Sequence, residues 1–227
     1  MQTRRWFLVI AATILSTGVA NAGEPVNWSG WHAGAFGGYI SGKVNSNDPS
    51  HETTTGSYKD DGPTAGIYGG YRRQNAKNMV FGVDLVLPLY SFTGSAVDTV
   101  YFPGLVKYEG DPKFSLLVGA HVGRATGKAL PYAYGAVGFV SVEGRTLNVD
   151  LTDSYSPGFV QKASATHFAW QGGAGVDYQV SEKMFAGVRV VAFFASRADH
   201  TMSWNTPGPN EFGYHSSLVQ INVGRRF

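Results

Sequence analysis

Phe81-Gly82-Val83-Asp84-Leu85-Val86-Leu87-Pro88-Leu89 places an apolar side chain at every odd position and sets Gly82 and Asp84 between the first of them. A period of two describes a strand with one apolar face, because successive side chains point to opposite sides. The same parity runs through three more stretches. Phe114, Leu116, Val118, Ala120 and Val122 alternate with Ser115, Gly119, His121 and Gly123. Phe168, Trp170, Ala174, Val176 and Tyr178 oppose His167, Gln171, Gly173 and Asp177, and Val219, Ile221 and Val223 oppose Gln220, Asn222 and Gly224. Working outward from these, eight strands are expected at 31–42, 64–74, 80–92, 113–124, 131–143, 166–180, 184–196 and 214–227. Each matches or slightly exceeds the roughly 9–11 residues that a tilted strand needs to cross hydrocarbon.

The alternation alone would also suit a soluble sandwich with its apolar set turned inward. The connections decide against it. They run long, short, long, short, long, short, long, at 43–63, 75–79, 93–112, 125–130, 145–165, 181–183 and 197–213. Short periplasmic turns and longer extracellular loops belong to outer-membrane barrels, and a sandwich has no reason for them. After residue 22 no segment is continuously apolar for 18 residues, which excludes helical spans. A closed barrel is the other way to satisfy backbone groups in lipid. The fold class expected is therefore all-β, an eight-stranded antiparallel up-and-down transmembrane β-barrel with both termini on the short-turn side. Trp31, Tyr71, Tyr132 and Phe227 fall near the short-turn ends, and Phe92, Phe168, Trp170 and Phe194 toward the long-loop ends. They are expected to form the two aromatic girdles.

The amino terminus points to export. Arg4 and Arg5 precede an apolar run from Trp6 to Val19, and Ala20-Asn21-Ala22 supplies the small residues of a signal-peptidase site. Residues 1–22 are expected to be removed, leaving one barrel domain at 23–227 in the outer membrane of a Gram-negative cell. That removal takes two of the 18 basic residues and none of the 16 acidic ones, so 16 of each remain. Such a balance gives no footprint for nucleic acid. The chain has no cysteine, which rules out a disulfide and a lipoprotein anchor.

Several stretches resemble the opacity/porin-like family of small outer-membrane barrels, and most closely its alphaproteobacterial surface proteins. They are Asn27-Trp28-Ser29-Gly30-Trp31-His32-Ala33-Gly34 with Gly37-Gly38-Tyr39, Ala65-Gly66-Ile67-Tyr68-Gly69-Gly70-Tyr71, Val80-Phe81-Gly82-Val83-Asp84, Leu130-Pro131-Tyr132 and Gly172-Gly173-Ala174-Gly175-Val176-Asp177-Tyr178. The ending Val219-Gln220-Ile221-Asn222-Val223-Gly224-Arg225-Arg226-Phe227 is similar to the family's closing strand. The terminal Phe227 resembles the signal read by the barrel-assembly machinery, which the resemblance implies as a partner beside outer-membrane lipids. There are departures. Gly187, Arg189 and Val191 stand where the family's seventh strand carries an acidic residue between two arginines, and Gly119 and His121 stand where its fourth strand often carries arginines.

An eight-stranded barrel has an interior just wide enough for side chains to fill. Arg72, Asp84, His121, Gln171, Asp177, Arg189, Gln220, Asn222 and Arg226 are the inward polar candidates. Buried charges must pair, and ion pairs Arg72–Asp84 and Asp177–Arg189 are expected between adjacent strands. The role expected is structural support of the envelope, with surface interaction through four long loops rich in polar residues and carrying Tyr155, Phe159, Trp204 and Phe212. A host or surface ligand is the partner those loops imply. A narrow porin-like channel is the alternative. A third is a barrel enzyme acting on lipid A or on peptides, for which His167, Asp199, His200, His215 and Ser216 would supply a metal or acid/base site if the loops converged. The pattern around His215 lacks that of outer-membrane deacylases, and eight strands fall short of a ten-stranded protease barrel. Exposed loop histidines are the reading preferred, with no catalytic residue, metal or cofactor assigned. Gly66-Ile67-Tyr68-Gly69-Gly70 and Gly172-Gly173-Ala174-Gly175 open no helix, so they are not phosphate loops.

Overall fold

The computed structural model describes residues 26–48, 53–90, 94–97, 106–149, 155–200 and 210–227. The expected leader, Phe92 and Trp204 lie outside them. Among the described residues the chain forms β1 (Gly30–Asp48), β2 (Thr53–Gln74), β3 (Met79–Tyr90), β4 (Gly94–Val97), β5 (Val106–Arg124), β6 (Ala129–Val149), β7 (Tyr155–Gln179), β8 (Met184–His200) and β9 (Asn210–Arg226). Chain neighbours pair antiparallel. The short β4 pairs with β5 at its far end, while β3 passes it to pair with β5 directly. Pairing of β1 with β9, through partners such as Ala35 and Val223, closes the ring. A closed eight-stranded barrel results, which pairs the backbone groups of the wall within the sheet.

All eight expected strands are present, but seven of them run further than the sequence implied. β7 alone holds 25 residues. Much of each expected long loop is strand: the first of them, 43–63, continues the ladder of β1 and β2 as far as Asp48 and Thr53. Polar side chains hid this, because a strand wall standing in water needs no apolar face. Tyr155, Phe159 and Phe212 accordingly lie within strands.

Parity sorts the two faces as expected. Phe81, Val83, Leu85 and Leu89 are exposed, whereas Gly82, Asp84 and Val86 are buried. The outward face changes character at one height. Tyr39 gives way to Ser41 and Lys43, Phe139 to Ser141, Glu143 and Arg145, and Phe168 to Thr166, Ser164 and Lys162. From Trp31 to Tyr39 is about 26 Å along the strand, or about 20 Å of height at a tilt of about 40°. An outer-membrane barrel carries an apolar band of roughly 25 Å, so this belt is of the size hydrocarbon requires. Trp31 lies edge-on to Tyr71 at 5.3 Å at its lower margin, and Trp170 stacks on Phe194 at 4.2 Å at its upper one. Tyr132 is not in the lower girdle. It is an even-numbered residue of β6, where Ala133, Gly135, Val137 and Phe139 face out, and it is only 1% exposed.

Inside, large residues alternate with glycine. From Trp28, just ahead of β1, and along that strand the inward positions read Trp28, Gly30, His32, Gly34, Phe36, Gly38, Ile40, Gly42 and Val44. Some of the inward glycines leave room for a ring from the neighbouring strand: a Cβ on Gly34 would fall 2.6 Å from the Tyr68 hydroxyl, and one on Gly66 of β2 would fall 2.4 Å from the Phe36 ring. Ring-over-glycine packing of this kind fills a narrow bore. Above the belt, Glu143 accepts a 2.7 Å hydrogen bond from Arg145 Nε, which holds its carboxyl below the ordinary value; Lys113 and Asp111 complete a charged patch. Exposed pairs contribute about 0–1 kcal/mol. Glu143→Gln should therefore shift the urea midpoint of unfolding hardly at all.

Candidate functional site

The lower half of the lumen holds a polar cluster to which every wall strand except the short β4 contributes. At its centre Arg72 of β2 donates from Nη2 to Asp177 Oδ2 of β7 at 2.7 Å. In the order of the ring these two strands stand opposite one another, so the pair crosses the full bore. Both side chains are sealed from solvent. Asp177 also accepts from Asn222 Nδ2 of β9 at 2.9 Å and from the Tyr132 hydroxyl of β6 at 3.3 Å. The Arg72 guanidinium lies 4.8 Å from the centre of the Phe185 ring and 5.6 Å from that of Trp28. Cation–π contacts of this sort partly offset the removal of a cation from water.

A second centre lies beside it. Asp84 of β3 takes His32 Nε2 of β1 on Oδ1 at 2.8 Å and His121 Nδ1 of β5 on Oδ2 at 3.1 Å. Arg189 of β8 donates from Nε to the Tyr132 hydroxyl at 3.2 Å and lies 4.0 Å over the Tyr134 ring, whose hydroxyl accepts from Gln171 at 3.2 Å. Gln220 is buried on β9 opposite Arg189. The expected pairs Arg72–Asp84 and Asp177–Arg189 are thus not the ones formed. Two imidazoles occupy both oxygens of Asp84, and long side chains in a narrow tube reach across it as readily as along its wall.

Arg226 lies lower. It donates from Nη1 to the Asn27 carbonyl and from Nη2 to the Glu182 carbonyl at 2.8 Å, and it stands 5.3 Å over Trp28. There it ties down the segment ahead of β1, whose Trp28 N–H donates to Gln74 Oε1 at 2.8 Å. Trp28 is fully buried and meets Phe185 edge-on at 6.0 Å, stopping the short-turn mouth. Phe227 is exposed outside the wall, its N–H bonded to the Trp31 carbonyl at 2.9 Å. The sequence reading did not assign His32, Tyr134, Trp28 or Phe185 to the interior. The signal was the large–glycine alternation on β1, which places His32 and Trp28 on one face.

The rim histidines do not converge as three. His167 and His200 meet inside β7 and β8 and have no exposed surface, so they are not exposed loop residues. His215 faces outward on β9, edge-on to Phe194 at 5.2 Å. Among the described residues no group of three or more His, Cys, Asp or Glu is placed to hold a metal.

Residues 7–227 match the family described as outer membrane protein beta-barrel domain. The chain belongs to that family. A member of it resides in the outer membrane of a Gram-negative cell. No curated protein matches the sequence. Among solved structures, the outer membrane protease OmpT of Escherichia coli superposes with a TM-score of 0.57 at 8% identity, over 87% of this chain and 97% of its own. The outer membrane protein OprG of Pseudomonas aeruginosa superposes with a TM-score of 0.53 at 15% identity, over 89% of this barrel and 98% of its own chain. At these identities the likeness is one of fold.

Proposed function

We propose that this barrel is a non-conducting, non-enzymatic wall element of the outer membrane whose extended outer strands serve surface interaction. The observation that carries this reading is the Arg72–Asp177 pair, which spans the bore between opposite strands. A channel needs a continuous wet path. Here the ion pair, the rings of Tyr132, Tyr134 and Phe185, and the Trp28 stopper lie across it. The strands that rise beyond the apolar belt suit a rigid platform for a host or surface ligand, since sites on strands are held more firmly than sites on loops.

Planar bilayer recording of the folded protein tests the reading. No stable conductance of porin size is expected from the wild-type barrel. Steady single-channel steps that persist after repeated purification would replace it with the narrow-channel alternative. Hydrolysis of lipid A or of a surface peptide by the pure protein would replace it with the enzyme.

A further inference from the structure

The upper lumen holds a pair of imidazoles that face one another, His167 of β7 and His200 of β8. His167 Nδ1 stands 2.8 Å from the Ser196 carbonyl oxygen, and His200 Nδ1 stands 3.1 Å from that of Ala163. A carbonyl only accepts, so each Nδ1 carries a proton. The two Nε2 atoms then face one another, 3.1 Å apart. In neutral rings both present lone pairs, and two lone pairs at that distance repel. Something electrophilic belongs between them.

We propose that His167 and His200 bind one divalent transition-metal ion of the Zn²⁺, Cu²⁺ and Ni²⁺ class through their Nε2 atoms. Imidazole suits these ions. A metal-bound histidine usually donates its other N–H to a carboxylate, a backbone carbonyl or water, which fixes the tautomer and aims the ligand; both rings are held in that way here, by backbone carbonyls. Two metal–nitrogen bonds of about 2.0–2.1 Å meeting near the tetrahedral angle set their nitrogens about 3.3 Å apart. The ring centres already lie 5.3 Å apart, so a pivot of the rings seats the ion without moving the strands. A proton shared between the two Nε2 atoms is the competing occupant, told apart from a metal ion by whether the rings respond to Cu²⁺. With two protein ligands the site keeps positions open for solvent or a small exogenous donor.

The position adds a consequence. Ala169 opposite Ala195 is the last described pair of the β7–β8 ladder, and the β8–β9 register shifts between Ala195 and Ala198. The imidazole pair joins β7 to β8 just above that point. A bound ion would pin two wall strands just beyond the last described pair of their ladder.

The test uses the untagged full chain folded in detergent at pH 7.5. In wild type carrying labelled histidine, substoichiometric Cu²⁺ should broaden the His167 and His200 ring signals before those of His32 and His121. The Cu²⁺ electron paramagnetic resonance spectrum should show two coordinated nitrogens at one equivalent. Zn²⁺ should raise the apparent Tm by several degrees in wild type and in His215→Gln, and by none in His167→Gln or His200→Gln. Folded wild type that binds no Cu²⁺, or broadening that spares His167 and His200, overturns the proposal whether or not the variants fold. Ring signals that respond to pH alone and not to metal mean a shared proton only, and overturn it equally.

Discussion

Asp177→Ala is expected to cost the barrel about 3–5 kcal/mol, the usual penalty for leaving one partner of a buried ion pair alone. The substitution strands the Arg72 guanidinium in the lumen, where its Nε and Nη1 have no hydrogen-bond partner among the described residues. It also removes the acceptor of Asn222 Nδ2 and of the Tyr132 hydroxyl. The urea midpoint in lipid vesicles, read by tryptophan emission with gel mobility as the check on folding, measures the loss. Arg72→Met combined with Asp177→Leu should recover most of it, since a buried pair replaced by apolar residues of similar volume is often neutral or better. Should Asp177→Ala fall within about 0.5 kcal/mol of wild type, the range of ordinary surface changes, the bore is wet enough to solvate Arg72. The filled-lumen reading would then fail.

Leu85→Arg should destabilise by about 2–4 kcal/mol, the cost of an arginine on the lipid face near the bilayer midplane. Leu85 lies in the middle of the outward row of β3, between Val83 and Leu87, and is well exposed. In a water-soluble barrel the same change would be nearly silent, because an exposed leucine exchanged for arginine buries no charge. Lys43→Ala, on the outward face above the belt, is the matched control and should change stability little. Equal midpoints for Leu85→Arg and wild type in vesicles would place water, not hydrocarbon, against this face.

How much of this was legible beforehand follows from what parity can and cannot tell. Alternation in 81–89 and 114–123 reports which side of a strand each residue takes, and those sides are the ones found. It does not report which residues of non-adjacent strands share a height, and the interior partners are chosen by that. Asp177 was assigned to the lumen, but its partner Arg72 sits 105 positions away on the opposite wall. Tyr132 has the aromatic character and strand-end position of a girdle residue, but its parity on β6 turns it inward. The strand ends were missed for a related reason. Above the belt both sides of a strand tolerate polar residues, so 43–63 reads as loop while pairing as sheet. His167 and His200, 33 positions apart, looked like separate loop residues until the ladder brought them to 3.1 Å.

Cysteine scanning of β3 addresses most directly whether lipid covers the odd-numbered face. The native chain has no cysteine, so nitroxide labels placed singly at 81, 83, 85, 87 and 89, and at 86 on the inner face, report one site each. In vesicles, collision with dissolved oxygen should be frequent at the five odd positions, greatest near 85, and rare at 86, while a water-soluble nickel complex should scarcely reach any of them. Ready contact between the nickel complex and position 83 or 85, or oxygen contact as frequent at 86 as at 85, would contradict a closed wall with hydrocarbon outside and packed side chains within.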